Sequence, residues 1–249
     1  MAATHLLVSD LDNTLLGDDA GLDRFADWVR ARTGSIRVVY ASGRFFASVS
    51  ASIRATALPA PDAVIGGVGT DIHDYPSGKL FTEWHDRIGR EWSAARVRDA
   101  LAADARLRPQ PEEFQSAFKV SYYRDGASAE DLAVLRRRLG EAGLDAAVIY
   151  SSDRDLDILP HVADKGTAAA FLAGRWGVSS DRVLVCGDSG NDLSLFRQGF
   201  RGVVVANAHA ELKRLEGPRV YQARQAFAAG VVEGLEHWLS GVGAHAPDR

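Results

Sequence analysis

The sequence predicts an α/β protein with a doubly wound parallel-sheet core and an inserted small α+β cap domain. Apolar strand-like runs alternate with helical patterns at both ends of the 249-residue chain, which is the rhythm of a parallel sheet. Between about residues 81 and 160 that rhythm changes to short strands, prolines and a capped helix. Polar clusters also follow the core's apolar runs, and open α/β sheets bind ligands beyond the carboxyl ends of their strands. The expected division is therefore a core of residues 1–80 and 161–249 and a cap of residues 81–160.

The first strand is Leu6-Leu7-Val8, running into Asp10-Leu11-Asp12-Asn13-Thr14. Leu22, Phe25, Ala26 and Val29 follow at the spacing of an amphipathic helix, which Gly34 breaks. Residues 37–40 read as the second strand, 45–54 as a helix and 63–65 as the third strand. The glycines of Gly66-Gly67-Val68-Gly69 lack G-x-G-x-x-G spacing, so a tight turn beside the cleft is expected, leaving room for substrate.

In the insertion, a helix extends through Leu101 and residues 118–123 form a strand. Ser128 and Asp131 make a capping box for a helix carrying Leu132, Leu135 and Leu139. Residues 148–150 and 155–159 form two further strands. Trp84 and Trp92 are expected to fill the insertion's small core. The core then resumes with a helix at 165–173, a strand at 183–186, an Asp-rich turn and a strand at 202–205. Helices near 208–215 and 226–238 close it, and the tail 241–249 is expected to fray.

Asp10 and Asp12 sit two residues apart, on one side of an extended segment and roughly 6–7 Å from each other. Paired carboxylates repel, and a divalent metal with oxygen ligands beside a phosphate relieves that repulsion. Three more clusters join them: Ala41-Ser42-Gly43-Arg44, Asp164-Lys165-Gly166 at a helix start, and Gly187-Asp188-Ser189-Gly190-Asn191-Asp192. Ser42 offers a hydroxyl donor to a phosphate oxygen, and Gly43 lets backbone approach it. Lys165 adds an ammonium where helix amides already favour an anion. Asp188, Asn191 and Asp192 supply oxygen ligands and partners for Lys165.

Four such clusters in this order resemble the four motifs of the haloacid dehalogenase superfamily of phosphohydrolases. The resemblance implies a Rossmann-like core in which Asp10 is the nucleophile and Asp12 the general acid/base. It further implies that Ser42 holds phosphate, that Lys165 neutralises charge, and that Mg²⁺ is held among Asp10, Asp12, Asp188 and Asp192. Further stretches cover nearly the whole chain: S-D-L-D-N-T, G-V-G-T, F-K-V-S-Y-Y, Y-S-S-D-R-D-L-D-I-L-P, D-K-G-T and C-G-D-S-G-N-D. They resemble sucrose-phosphate phosphatases and the related mannosylfructose-phosphate phosphatases, which implies a cap that recognises a sugar.

The implied reaction is hydrolysis of sucrose 6-phosphate to sucrose and phosphate through an aspartyl-phosphate. Mannosylfructose phosphate, a broader range of sugar phosphates and non-catalytic binding stand as alternatives. Substrate contacts are expected from Ser42, Gly43, Arg44 and Asn191 in the core. In the cap they are expected from Lys119, Ser121, Asp155 and Asp157, the last two on one face of a strand.

The net charge of −4 argues against nucleic acid as a partner. A single cysteine, Cys186, fits a buried thiol and a reducing compartment. No apolar run approaches the length of a membrane span. A soluble cytoplasmic monomer or weak homodimer is expected. The histidines lack zinc spacing, and a receiver-type signalling domain would be about half this length.

Overall fold

Leu6, Leu7 and Val8 are wholly buried because their strand, β1 (His5–Ser9), lies inside a sheet with a parallel neighbour on each side. The computed structural model describes residues 4–240; the tail 241–249, expected to fray, lies outside the described residues. Alternation along β1 sends Leu7 to one face and Leu6 and Val8 to the other, and each face carries its own apolar cluster.

After β1 the chain continues through α1 (Asp19–Arg30), β2 (Ile36–Ala41), α2 (Phe46–Ala55), β3 (Ala63–Gly66) and β4 (Asp71–Asp74). It returns to this sheet through α6 (Lys165–Arg175), β9 (Val183–Gly187), α7 (Leu193–Arg197), β10 (Arg201–Val204), α8 (Ala210–Lys213), β11 (Val220–Gln222) and α9 (Phe227–Leu239). The strand order is β11-β10-β9-β1-β2-β3-β4, parallel except for β4, which runs antiparallel to β3. The first half builds outward from β1 in one direction and the second half in the other. The order therefore reverses at β1, and the ends of β1, β2 and β9 open onto one crevice.

Between these halves lie α3 (Thr82–Ile88), α4 (Ala94–Leu101), β5 (Arg108–Pro109), β6 (Val120–Tyr123), α5 (Ala129–Glu141), β7 (Ala146–Ser151) and β8 (Asp155–Pro160). The four strands make an antiparallel sheet in the order β5-β6-β8-β7. Val97, Leu101, Leu135, Leu139, Leu156 and Ile158 pack between this sheet and α4 and α5. The capping box expected at Ser128 and Asp131 forms in full. The register pairs Ser121 with Asp157 and Tyr123 with Asp155, so these four share the face opposite the helices.

Trp84 corrects the sequence reading. It is fully buried with Ile88 in the large sheet's second cluster, and its indole N–H donates to the Gly69 carbonyl at 2.9 Å. Trp92 packs, partly buried, against the small sheet's cluster as expected. No helix among the described residues is long and apolar enough to cross a membrane.

Candidate active site

Asp10 follows the last residue of β1, and its amide donates to the Cys186 carbonyl at 3.0 Å, tying the end of β1 to β9. Lys165 opens α6 with its side chain fully buried. Two local features hold it there. Asp164 caps the helix reciprocally with Thr167, and the Gly66–Gly69 turn packs against the helix start. A Cβ on Gly69 would lie 2.3 Å from the Asp164 carbonyl oxygen, and φ is +106° there, so only glycine fits.

The Lys165 ammonium has three partners: Asp10 Oδ1 at 2.7 Å, Asn191 Oδ1 at 2.7 Å and Asp192 Oδ1 at 2.6 Å. The other Asp192 oxygen accepts from the amides of Asp188 and Ser189 at 3.0 and 3.2 Å. The Asp188 carboxylate accepts from Thr14 at 3.3 Å. Asp10, Asp188 and Asp192 each bring an oxygen within 4.8 Å of the others.

Burial dominates the electrostatics here. It pushes Asp10 up to about 7, opposed by Lys165 and reinforced by Asp192 and Asp12. Burial and the neighbouring Asp10 and Asp192 push Asp188 up to about 8, with Lys165 opposing. Burial acts to lower the pKa of Lys165, but Asp10 and Asp192 outweigh it and raise the value. Among the described residues the cluster thus contains one cation and three acids, and Asp188 has no cation in contact. That donor set, carboxylate oxygens with surplus negative charge, fits a hard divalent cation.

A cleft of about 320 Å³ lies over these groups. Asp10, Asp12, Gly43, Arg44, Asp188 and Asn191 line its floor, and Lys119, Asp155, Asp157, Gln110, Tyr123 and Arg154 line the wall formed by the small sheet. The Lys119 ammonium is buried 3.3 Å from Asp157 Oδ1 and 3.3 Å from the Gly43 carbonyl. The Gln110 amide donates to Asp155 Oδ1 at 3.2 Å, and burial raises the Asp155 pKa.

The family model for sucrose-6F-phosphate phosphohydrolase matches residues 3–239. The chain belongs to this family. Mannosylfructose-phosphate phosphatase of Agrobacterium fabrum is 38% identical over 243 residues, covering 96% of this chain and 98% of that protein. Sucrose-phosphatase 1 of Nicotiana tabacum is 34% identical over 256 residues; the match covers 96% of this chain but 60% of the tobacco protein's length. The solved structure of the sucrose-phosphatase from Synechocystis sp. PCC6803, in complex with sucrose and phosphate, matches with a TM-score of 0.90 and 33% identity. It covers 95% of this chain and 98% of that chain. The expected haloacid dehalogenase-type fold and phosphatase class hold for this member of the sucrose-6F-phosphate phosphohydrolase family.

Within this family member, three expectations need correction. Asp12 does not join the acid cluster: the strand ends at Ser9, and the Asp12 carboxylate turns toward Arg44, whose Nε lies 2.9 Å from Asp12 Oδ2. Ser121 does not line the cleft; its hydroxyl donates to Asp157 Oδ1 at 2.6 Å and to the Phe114 carbonyl at 3.0 Å, steadying Asp157 from behind. The Gly66–Gly69 turn is buried against Phe45 and Asp164 and makes no room for substrate.

Ser42 is buried at the end of β2, and its hydroxyl accepts from the Arg44 amide at 3.1 Å. Asn191 both lines the cleft and holds Lys165. The sequence reading missed Thr14, Gln110, Tyr123 and Arg154. Thr14 was legible as the hydroxyl four residues after Asp10. Arg154 lies in the quoted S-S-D-R-D stretch, but its stacking over the Tyr123 ring at 4.2 Å depends on the pairing of two strands.

Proposed function

We propose that this chain hydrolyses a disaccharide phosphate, sucrose 6-phosphate, to the free sugar and inorganic phosphate. One observation carries the reading: the buried Asp10–Lys165–Asp192 group and Asp188 face, across one cleft, a polar wall bearing Lys119, Asp155 and Asp157. The floor suits phosphate and the wall suits hydroxyls. We assign the described residues up to 88 and from 161 onward to a hydrolase core and residues 89–160 to a cap; the expected boundary at residue 80 moves to the end of α3 because Trp84 and Ile88 pack with the large sheet.

Mg²⁺ would be held by Asp10 and Asp188, with Asp192 close by but already engaged by Lys165 and two amides. When bound, Mg²⁺ offsets negative charge on the phosphoryl oxygens and keeps both carboxylates ionised. Asp10 attacks phosphorus, forming a carboxylate O–P bond as the bond to the sugar oxygen breaks. Asp12 donates its proton to the leaving sugar oxygen and then accepts a proton from the water that attacks the aspartyl-phosphate. The Asp10–P bond breaks, releasing phosphate and regenerating the carboxylate. Lys165 holds Asp10 in place throughout, and Ser42 and the Gly43 backbone bind phosphoryl oxygens. Arg44 orients Asp12.

Hydrolysis of mannosylfructose phosphate is the second reading, favoured by the 38% identity shared with the Agrobacterium fabrum protein. Phosphate release measured with sucrose 6-phosphate, mannosylfructose phosphate, glucose 6-phosphate and trehalose 6-phosphate tests both. A dominant kcat/KM on sucrose 6-phosphate supports the first reading, and a dominant value on mannosylfructose phosphate replaces it with the second. Equal rates on all four overturn disaccharide selectivity.

A further inference from the structure

Gly190 lies in the Asp-rich turn between Ser189 and Asn191, and strand β7 of the small sheet crosses directly over it. A Cβ built on Gly190 would stand 2.3 Å from the Tyr150 carbonyl oxygen and 3.4 Å from Ser151 Cα, whereas real Cβ contacts essentially never fall below 3.0 Å. The obstacle is backbone. It is held in register with β8 from Ala146↔Pro160 to Ser151↔Asp155, so it cannot swing aside as a side-chain tip would.

The turn itself does not require glycine. Positive-φ glycines such as Gly69 need their conformation, but Gly190 is not among them. Only the strand laid across it excludes a side chain. The Gly190 amide also donates to Glu211 Oε1 at 3.2 Å, which ties the turn down beside the β7 contact. A second contact between the small sheet and the core also lands on a glycine, where Lys119 donates to the Gly43 carbonyl at 3.3 Å.

We propose that Gly190 is the seat on which the cap closes, so that contact between β7 and this turn sets how far the polar wall stands from the floor of the cleft. Gly190 does not line the cleft; it is a positioning residue for the wall. Substrates held by the cap wall need this seat, and a small phosphate ester that does not reach the wall does not. The consequence for turnover rests on the phosphohydrolase reading, whereas the closure geometry does not.

The test places spin labels at Arg30→Cys on α1 and Arg137→Cys on α5, both exposed, while Cys186 is buried and escapes labelling. Distances are measured with and without Gly190→Ala. The parent should show a main population at the separation given by this structure, and Gly190→Ala should move it to longer distances. In the unlabelled protein, Gly190→Ala should lower kcat/KM on the preferred disaccharide phosphate about 10- to 100-fold. Turnover of para-nitrophenyl phosphate should stay within about twofold.

An unchanged distance distribution overturns the proposal, as does an equal loss on both substrates, which would mean a damaged turn. Should Gly190→Ala fail to fold, Glu211→Ala removes the side chain that ties down the seat, and the closed population should broaden; an unaltered population overturns the proposal equally. A parent protein that releases no phosphate overturns the function proposed above but leaves the distance result standing.

Discussion

Lys165 Nζ stands 2.7 Å from Asp10 Oδ1, with the lysine side chain wholly shielded and the aspartate 6% exposed. Asp192 supplies a second carboxylate at 2.6 Å, itself fully shielded. A buried charge network of this kind is a constraint more than a source of stability, because desolvation cancels much of the attraction. Removing one member is another matter, since the others are left buried and uncompensated.

Lys165→Met should therefore abolish phosphate release and lower unfolding free energy by about 3–5 kcal/mol, the range for breaking a buried pair. The midpoint of urea unfolding reads the second effect. A variant as stable as the parent would overturn the reading of Lys165 as the counter-charge these buried carboxylates need.

Stability should depend on pH and metal together. Asp10 and Asp188, pushed up to about 7 and about 8 from an ordinary 3.8, bind more protons folded than unfolded between about pH 4 and pH 8, so stability falls as pH rises there. Divalent metal competes with those protons, so stabilisation by Mg²⁺ should grow from about pH 5 to pH 8. His5, whose pKa burial lowers, acts with the opposite sign whether or not metal is present. The informative quantity is thus the difference between melting temperatures with Mg²⁺ and with a chelator. A pH-independent difference would remove Asp10 and Asp188 as the metal's ligands.

How far the sequence is legible depends on whether a feature is local. Asp10, Ser42 and Asp188 follow buried strands, and Lys165 opens a capped helix, so period-2 and capping patterns are enough to find them. β4, Asp71-Ile72-His73-Asp74, and β11, Val220-Tyr221-Gln222, lack the run of small and branched apolar residues that marks β3 and β10 at similar length. The orientation of Asp12 is set by Arg44 from the next strand-to-helix loop, and the role of Ser121 by its register opposite Asp157. Trp84 lies in the inserted stretch by sequence yet packs against the large sheet. Each of these depends on a partner distant in the chain.

The two motif acids should separate cleanly by experiment. Asp10→Ala should leave no turnover and no phosphoryl-enzyme. Asp12→Asn should retain phosphate binding while slowing both formation and breakdown of the intermediate, since one group serves both proton transfers. Chemical trapping followed by mass spectrometry should find the phosphoryl group on Asp10. Label on Asp12, or an active Asp10→Ala protein, would refute the assignment.

Lys119 tests the division of labour between floor and wall. Its ammonium is buried between Asp157 and the Gly43 carbonyl and lies 5.5 Å from the centre of the Phe45 ring. It lines the cleft without touching the Asp10 cluster, and its contact with the phosphate-binding loop is to the Gly43 carbonyl, so Lys119→Ala leaves Asp10, Asp12, Ser42 and Lys165 in place. It removes a charged donor available to sugar hydroxyls and leaves Asp157 without its cation. The expected loss is about 1–3 kcal/mol, the range for a hydrogen bond to a charged group, or roughly 5- to 150-fold in kcat/KM on the disaccharide phosphate. Para-nitrophenyl phosphate, which has no sugar to present to the wall, should be hydrolysed nearly as fast as by the parent. Asp157→Asn in the same background should add little, because the two residues act as one unit and their effects are not additive. An equal fall on both substrates would instead mean that Lys119 supports the core's chemistry or folding rather than recognition of the sugar.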